Sequence, residues 1–213
     1  MEGATTGKSP EELTAKGRAT RARILEHAAE LIYANGVHAT NNEQLRRAAG
    51  VSGSQLNHYF PTKEGLVLAV IAWQAERVLA SHRDPRYSAF TTLDAFRTWA
   101  DHYIGYERAY VEGCTLGSLA SEIVKTDLDV HDALANAFDE WRVIFTEGLR
   151  TMQDDGRLDR QADPIQLANL LLSAFQGGML LAQVAGDIRP LKDALDGALD
   201  HLHRLATPTT ADG

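Results

Sequence analysis

Between Gly36 and Leu66 the chain reads G-V-H-A-T-N-N-E-Q-L-R-R-A-A-G-V-S-G-S-Q-L-N-H-Y-F-P-T-K-E-G-L, and two short helical patterns in it are separated only by the joint Ala49-Gly50-Val51-Ser52. A joint that short makes the two helices cross steeply. The first has a defined start, because Thr40, Asn41 and Asn42 offer side-chain oxygens to free backbone N–H groups and Gly36 can end the helix before it. Leu45, Ala48 and Ala49 then point inward at helical spacing, while Glu43, Gln44, Arg46 and Arg47 stay in water. Gly50 is free to take a positive φ, and Ser52 can cap the second helix. Leu56 and Phe60 anchor that helix and leave Ser54, Gln55, Asn57 and His58 as a polar row. Pro61 stops it, and Thr62 and Lys63 open the next. The layout is that of a helix-turn-helix, whose second helix suits the DNA major groove.

Charge supports this only when read locally. The whole chain of 213 residues carries a net charge of −8, the wrong sign for most nucleic-acid binders. From Lys16 to Lys63, however, seven basic residues face three acidic ones, whereas from residue 67 onward thirteen face twenty-two. A dimer would turn basic heads to the phosphates and keep an acidic body away from them.

The remainder reads as helices. A first helix from Lys16 to Asn35 places Ile24, Leu25, Ala28, Leu31 and Ile32 on one face. A long helix runs from Thr62 through Leu66, Val70, Trp73 and Val78 to Asp84-Pro85. Others are expected at 92–111, 116–125, 129–154, 164–185 and 190–205, with no alternating strand pattern. The expected fold is therefore all-α with about nine helices: a flexible tail 1–15, a three-helix head 16–63, a larger helical domain 64–206 and a tail 207–213. No run reaches the roughly 20 apolar residues of a membrane span, and no signal-peptide pattern opens the chain, so a cytoplasmic protein is expected. One cysteine excludes an intrachain disulfide, and the His201/His203 spacing is wrong for a helical metal site. No metal or other cofactor is expected. No nucleophile with base and orienter, phosphate-cradling glycine loop or metal spacing points to an enzyme.

At this point a resemblance is strong. Thr20-Arg21, Ile24-Leu25, Ala28-Ala29-Glu30-Leu31, Gly36, Ala49-Gly50-Val51-Ser52 and His58-Tyr59-Phe60-Pro61-Thr62-Lys63, in that order, are similar to the N-terminal domain of TetR-family repressors. The motifs cover residues 20 to 66, and the rest resembles the family in helical layout. The resemblance implies a homodimeric transcription factor that leaves a palindromic operator in double-stranded DNA when a small-molecule inducer binds the C-terminal domain. Phosphates are then expected at Thr40, Asn41, Arg46 and Lys63, and bases at Ser54, Gln55, Asn57 and His58, with Gly53 and Tyr59 completing the DNA surface. Two departures bear on the operator. Asn57 stands where the family commonly has a phosphate-binding Tyr, and it can bridge an adenine edge instead. Arg46 stands where a small Ala is usual, either to meet phosphate or to lie packed over the domain surface.

Phe96, Trp99, Tyr103, Tyr106 and Tyr110 recur at steps of three and four, an aromatic stripe that serves as core or as one wall of a pocket. In the family this region helps form the inducer pocket. Trp99, Tyr103, Tyr106 and Tyr110, joined by Trp141, Phe145, Phe175, Met179 and Cys114, are the candidate ligand residues, for a flat or apolar molecule. Cys114 sits near a helix start, where a thiol can become reactive or simply pack as a small apolar group. The alternative function is accordingly a helical small-molecule or electrophile sensor, acting through Cys114, with weak or lost DNA binding. Leu167, Leu170, Leu171, Ala174, Gly178, Leu181 and Ala182 form the face expected to pair two copies, or else an ordinary internal helix contact.

Overall fold

The structure, a computed structural model, describes residues 13–106 and 108–207. Ten α-helices follow one another: α1 Ala15–Asn35, α2 Asn42–Ala49, α3 Gly53–Tyr59, α4 Lys63–His82, α5 Leu93–Ile104, α6 Ala109–Glu112, α7 Thr115–Ile123, α8 His131–Asp154, α9 Pro164–Ala185 and α10 Arg189–Leu205. A 3-10 segment, Pro85–Phe90, lies between α4 and α5. Among the described residues there is no strand, only an isolated bridge between Leu158 and Ala206, so the all-α expectation holds.

Packing divides the chain into two compact units, residues 1–77 with 115–137 and residues 78–114 with 138–213. The boundary expected after Lys63 falls inside the first of these. Here α1 buries Ile24, Leu25, Ala28, Ala29 and Ile32, while α2, α3 and α4 bury Leu45, Leu56, Val67 and Val70. Ala29 takes the place expected for Leu31, which is only half-buried. Two side chains then fix the small helices to their neighbours. Arg23 Nε donates to the Ala49 carbonyl at the end of α2 (2.8 Å), and the Val37 N–H donates to the Glu122 carboxylate of α7 (2.7 Å).

In the second unit α9 packs along α10 so closely that a Cβ on Gly178 would lie 2.9 Å from Leu191 Cα. After α4 the chain turns sharply: Ser88, Ala89 and Phe90 all have positive φ (44°, 50° and 58°), which L-residues seldom adopt. Burial of the Phe90 ring, 4.8 Å from Phe145 and 5.0 Å from Phe96, offsets that cost.

Three expectations need correction. The helix expected over 92–111 ends at Ile104, where the Gly105 N–H bonds back to Asp101, and resumes only as the single turn α6. The aromatic stripe is therefore broken before Tyr106. Of the tails, residues 1–12 and 208–213 lie outside the described residues, but Leu13 is buried, Thr14 caps α1 and Thr207 bonds to Arg157 and Gly156. Finally, α9, with 22 residues and an 18-residue stretch of mean hydropathy 1.4, is long and apolar enough to cross a membrane, contrary to the reading that no such run exists. Its apolarity has a visible division. One face is buried within the unit, and the other carries the exposed Leu170, Leu180, Leu181 and Val184.

Candidate functional site

The helix-turn-helix is assembled from local chemistry. Asn41 caps α2, accepting from the Glu43 and Gln44 N–H groups (both 3.0 Å), while Gln44 Oε1 accepts from the Asn41 N–H in return. Gly50 ends α2 in the left-handed region (φ 62°, ψ 43°). Ser52 and Gln55 repeat the reciprocal box at the start of α3, at 3.2 and 2.9 Å. Leu45, Ala49, Leu56 and Phe60 are buried beneath, and the guanidinium of Arg21 covers the Phe60 ring at 5.0 Å. Burial lowers the Arg21 pKa.

The expected DNA residues fall into distinct groups. Ser54, Gln55, Asn57 and His58 are exposed along α3, and Gly53 and Tyr59 are half-buried at its two ends. Lys63 opens α4 exposed, its Nζ 3.5 Å from the His38 carbonyl. Arg46 is exposed, and its Cδ passes 3.7 Å from where a Gly53 Cβ would be, so the stem lies over the start of α3 with the guanidinium outside every ion pair among the described residues. Arg47, by contrast, is paired with Glu43. Two expectations change. Thr40 is buried and its hydroxyl donates to the Gly36 carbonyl (2.9 Å), so it braces the turn rather than facing phosphate. Gln55 has its Oε1 engaged in the capping box, so while the box stands it offers a partner only its Nε2 donors.

In the second unit Trp99, Trp141, Phe145, Phe175 and Met179 are buried, with Tyr103 half-buried beside them. They gather around a residue that the sequence reading missed, His82 at the end of α4. Its ring lies 4.6 Å from Trp141, 5.9 Å from Phe145 and 6.3 Å from Tyr103. His82 Nδ1 is 2.7 Å from the Val78 carbonyl, which requires the proton there, and Nε2 accepts the Trp99 indole N–H at 2.9 Å. Burial pushes its pKa down to about 4, with the Val78 bond opposing and His102 adding slightly. The ring is therefore neutral at pH 7. The phase of α4 carries the signal that was missed, since Val67, Val70, Gln74, Val78 and His82 fall on one stripe. Burial also raises the Tyr103 phenol well above its usual range.

Tyr106 and Tyr110 leave this group. Tyr106 is 45% exposed and donates to Glu112 Oε2 at 2.8 Å, and Tyr110 sits half-buried on α6. A cleft of about 680 Å³ in this unit opens instead between the Asp84–Thr91 segment and α8. Its floor includes His82, Ile144 and Gly148, and its rim includes Asp139, Glu140 and Glu147.

Residues 92–198 match the domain described as tetracyclin repressor-like, C-terminal, and residues 24–70 match that of bacterial regulatory proteins, tetR family. The chain belongs to the TetR family. It is therefore a DNA-binding transcriptional regulator, in a family of regulators rather than enzymes. Among curated relatives, the uncharacterized HTH-type transcriptional regulator YxaF of Bacillus subtilis is 26% identical over 184 residues, spanning 84% of this chain and 92% of that one. The HTH-type transcriptional regulator UidR of Escherichia coli is 33% identical over 75 residues, or 35% of this chain and 38% of its own. A TetR transcriptional regulator from Chloroflexus aurantiacus has the same fold, with a TM-score of 0.75 at 24% identity over 91% of this chain and 98% of that one.

For a TetR-family member the last two long helices carry particular interest, and here the expected pairing face is corrected. Leu167, Leu171, Gly178 and Ala182 are buried within the chain, and Ala174 is half-buried. Leu170 and Leu181 remain outside, joined by Leu180 and Val184, which the sequence reading did not name. The error was one of phase, because α9 is apolar on two sides and periodicity alone does not say which side its own chain covers. Cys114 is half-buried just before α7, with the Gln176 amide donating toward its sulfur at 3.4 Å.

Proposed function

We propose that this regulator is a cytoplasmic homodimeric repressor that holds a near-palindromic operator and releases it when a small apolar or aromatic molecule binds its C-terminal domain. The observation that carries the DNA half is the exposed row Ser54, Gln55, Asn57 and His58 on a helix capped and braced at both ends. In this reading Asn57 and His58 read base edges, Gln55 contributes donors, and Lys63, Arg46 and Asn41 hold phosphate, with Gly53 and Tyr59 against the backbone. The aromatic group of Trp99, Tyr103, Trp141, Phe145, Phe175 and Met179 lines the ligand site, with Cys114 at its edge.

Selection from random DNA by the purified protein should return a palindrome, and two variants then separate the roles. Lys63→Ala should weaken all sequences about equally and lower the salt slope by about one. Asn57→Ala should instead relax choice at one base pair, costing about 1–3 kcal/mol on the preferred site only. Uniform loss for both would remove the reading role of α3.

Pairing of two copies is supported by the outward face of α9, where Leu181 is 59% and Val184 79% exposed on a helix whose other side is already buried. Leu181→Glu should turn the dimer into a monomer by sedimentation and abolish high-affinity operator binding. A dimer unchanged by it would move the interface elsewhere.

A further inference from the structure

The DNA-binding head holds a cavity of its own. About 290 Å³ in volume, it lies between α1, α2, α3 and the start of α4. Its floor is apolar, since Leu45, Leu56, Phe60 and Val67 line it and none of them is more than 6% exposed. Packed interiors keep few voids larger than a water molecule, and small-molecule sites typically occupy about 300–1,000 Å³. A space near the lower end of that range is more than a packing defect, and it suits a small ligand.

The polar part of its lining is one-sided in charge. His38, Asn42 and Lys63 are exposed there, and among the described residues no carboxylate lines the cavity. Lys63 Nζ makes one long contact, 3.5 Å to the His38 carbonyl, and has no ion-pair partner among the described residues. One ammonium beside an apolar floor selects among ligands. A cation is repelled by Lys63, a polyanion finds too few donors, and a neutral molecule leaves the ammonium unused. A single carboxylate on a short apolar chain satisfies both parts.

We propose that this cavity binds small apolar monocarboxylates, which seat the chain on Leu45, Leu56, Phe60 and Val67, pair with Lys63 and so antagonise operator binding from within the head. The proposal rests on the reading of Lys63 as a phosphate contact. It differs from the inducer site in place and in mode, because the ligand takes up the cation that phosphate needs. Ligand and DNA therefore weaken each other by the same factor. That factor is the share of DNA affinity that Lys63 supplies.

The test uses the full-length protein and three probes: sodium octanoate, octan-1-ol, which has the same chain without the charge, and sodium butyrate. By calorimetry octan-1-ol should bind about three- to fivefold more weakly than octanoate, the upper range for an exposed ion pair. Lys63→Ala should weaken octanoate by a similar factor and leave octan-1-ol unchanged. Butyrate should bind at least about tenfold more weakly than octanoate, for want of four buried methylenes. In the ¹³C-labelled wild-type protein, NOEs should join the octanoate chain to methyls of Leu45, Leu56 and Val67, a readout that needs no variant to fold. Saturating octanoate, at ionic strength matched with sodium chloride, should weaken all DNA sequences about equally and lower the salt slope by about one, as Lys63→Ala does. It should weaken DNA binding no further in Lys63→Ala. Absence of octanoate binding, equal affinity for octanoate and octan-1-ol, NOEs confined to the C-terminal domain, or further loss of DNA binding in Lys63→Ala overturns the proposal. Undiminished operator affinity in Lys63→Ala without any ligand instead removes the phosphate reading of Lys63, and the antagonism with it, even where the NOEs to the head are present.

Discussion

Between pH 7 and pH 4 the protein is expected to lose roughly 3 kcal/mol of stability through His82 alone. The folded-state pKa of this residue is pushed down to about 4 from 6.5, chiefly by burial. Above pH 6.5 the ring is neutral in both folded and unfolded chains, and it contributes no pH dependence. As pH falls below 6.5 the unfolded chain takes up a proton that the folded chain refuses, so stability declines down to about pH 4 and no further from this group. The magnitude is a large share of the 5–15 kcal/mol that holds a typical domain together. Urea melts at pH 7, 5.5 and 4 should therefore show a steep fall that His82→Gln flattens. The glutamine retains a donor and an acceptor, so it tests titration more than packing. An unchanged decline in that variant would show that other groups govern the acid response.

Gly148→Ala should cost about 3 kcal/mol, near the upper end for overpacking a core. A Cβ there would lie 2.4 Å from the Phe90 carbonyl oxygen and 2.7 Å from that of Ala89. Both are backbone atoms, in a turn that already holds three consecutive positive φ values, so no side chain can swing aside to make room. Either the turn shifts and drags Phe90 out of its contacts with Phe145 and Phe96, or α8 withdraws. Gly197→Ala is the control, since nothing lies within 4 Å of its Cβ position in α10, and it should stabilise by up to about 1 kcal/mol. Equal urea midpoints for Gly148→Ala and wild type would show that the turn is softer than its contacts imply.

How far the sequence could be read depended on how local the deciding interaction was. The two caps at Asn41 and Ser52, the left-handed Gly50 and the inward Leu45, Leu56 and Phe60 each involve residues within a few positions of one another, and all were legible. So was the start of α9 at Pro164 and its end at Gly186. The finer roles in the head were less so. That Thr40 turns inward to the Gly36 carbonyl, and that Gln55 spends its oxygen on the box, depend on which of several possible partners each side chain takes. The break at Gly105 was missed because the aromatic spacing continues through it while the backbone does not.

What the sequence determined by itself is the class: an all-helical regulator whose capped, glycine-jointed helix pair presents a polar row, because caps and turns are short-range chemistry. What only the tertiary structure decided is how the rest is used. His82 became the centre of the aromatic group, and one face of α9 was buried while Leu181 and Val184 were left outside. Each of these turns on which distant residues meet, and helical periodicity marks apolar faces without naming the partners that cover them.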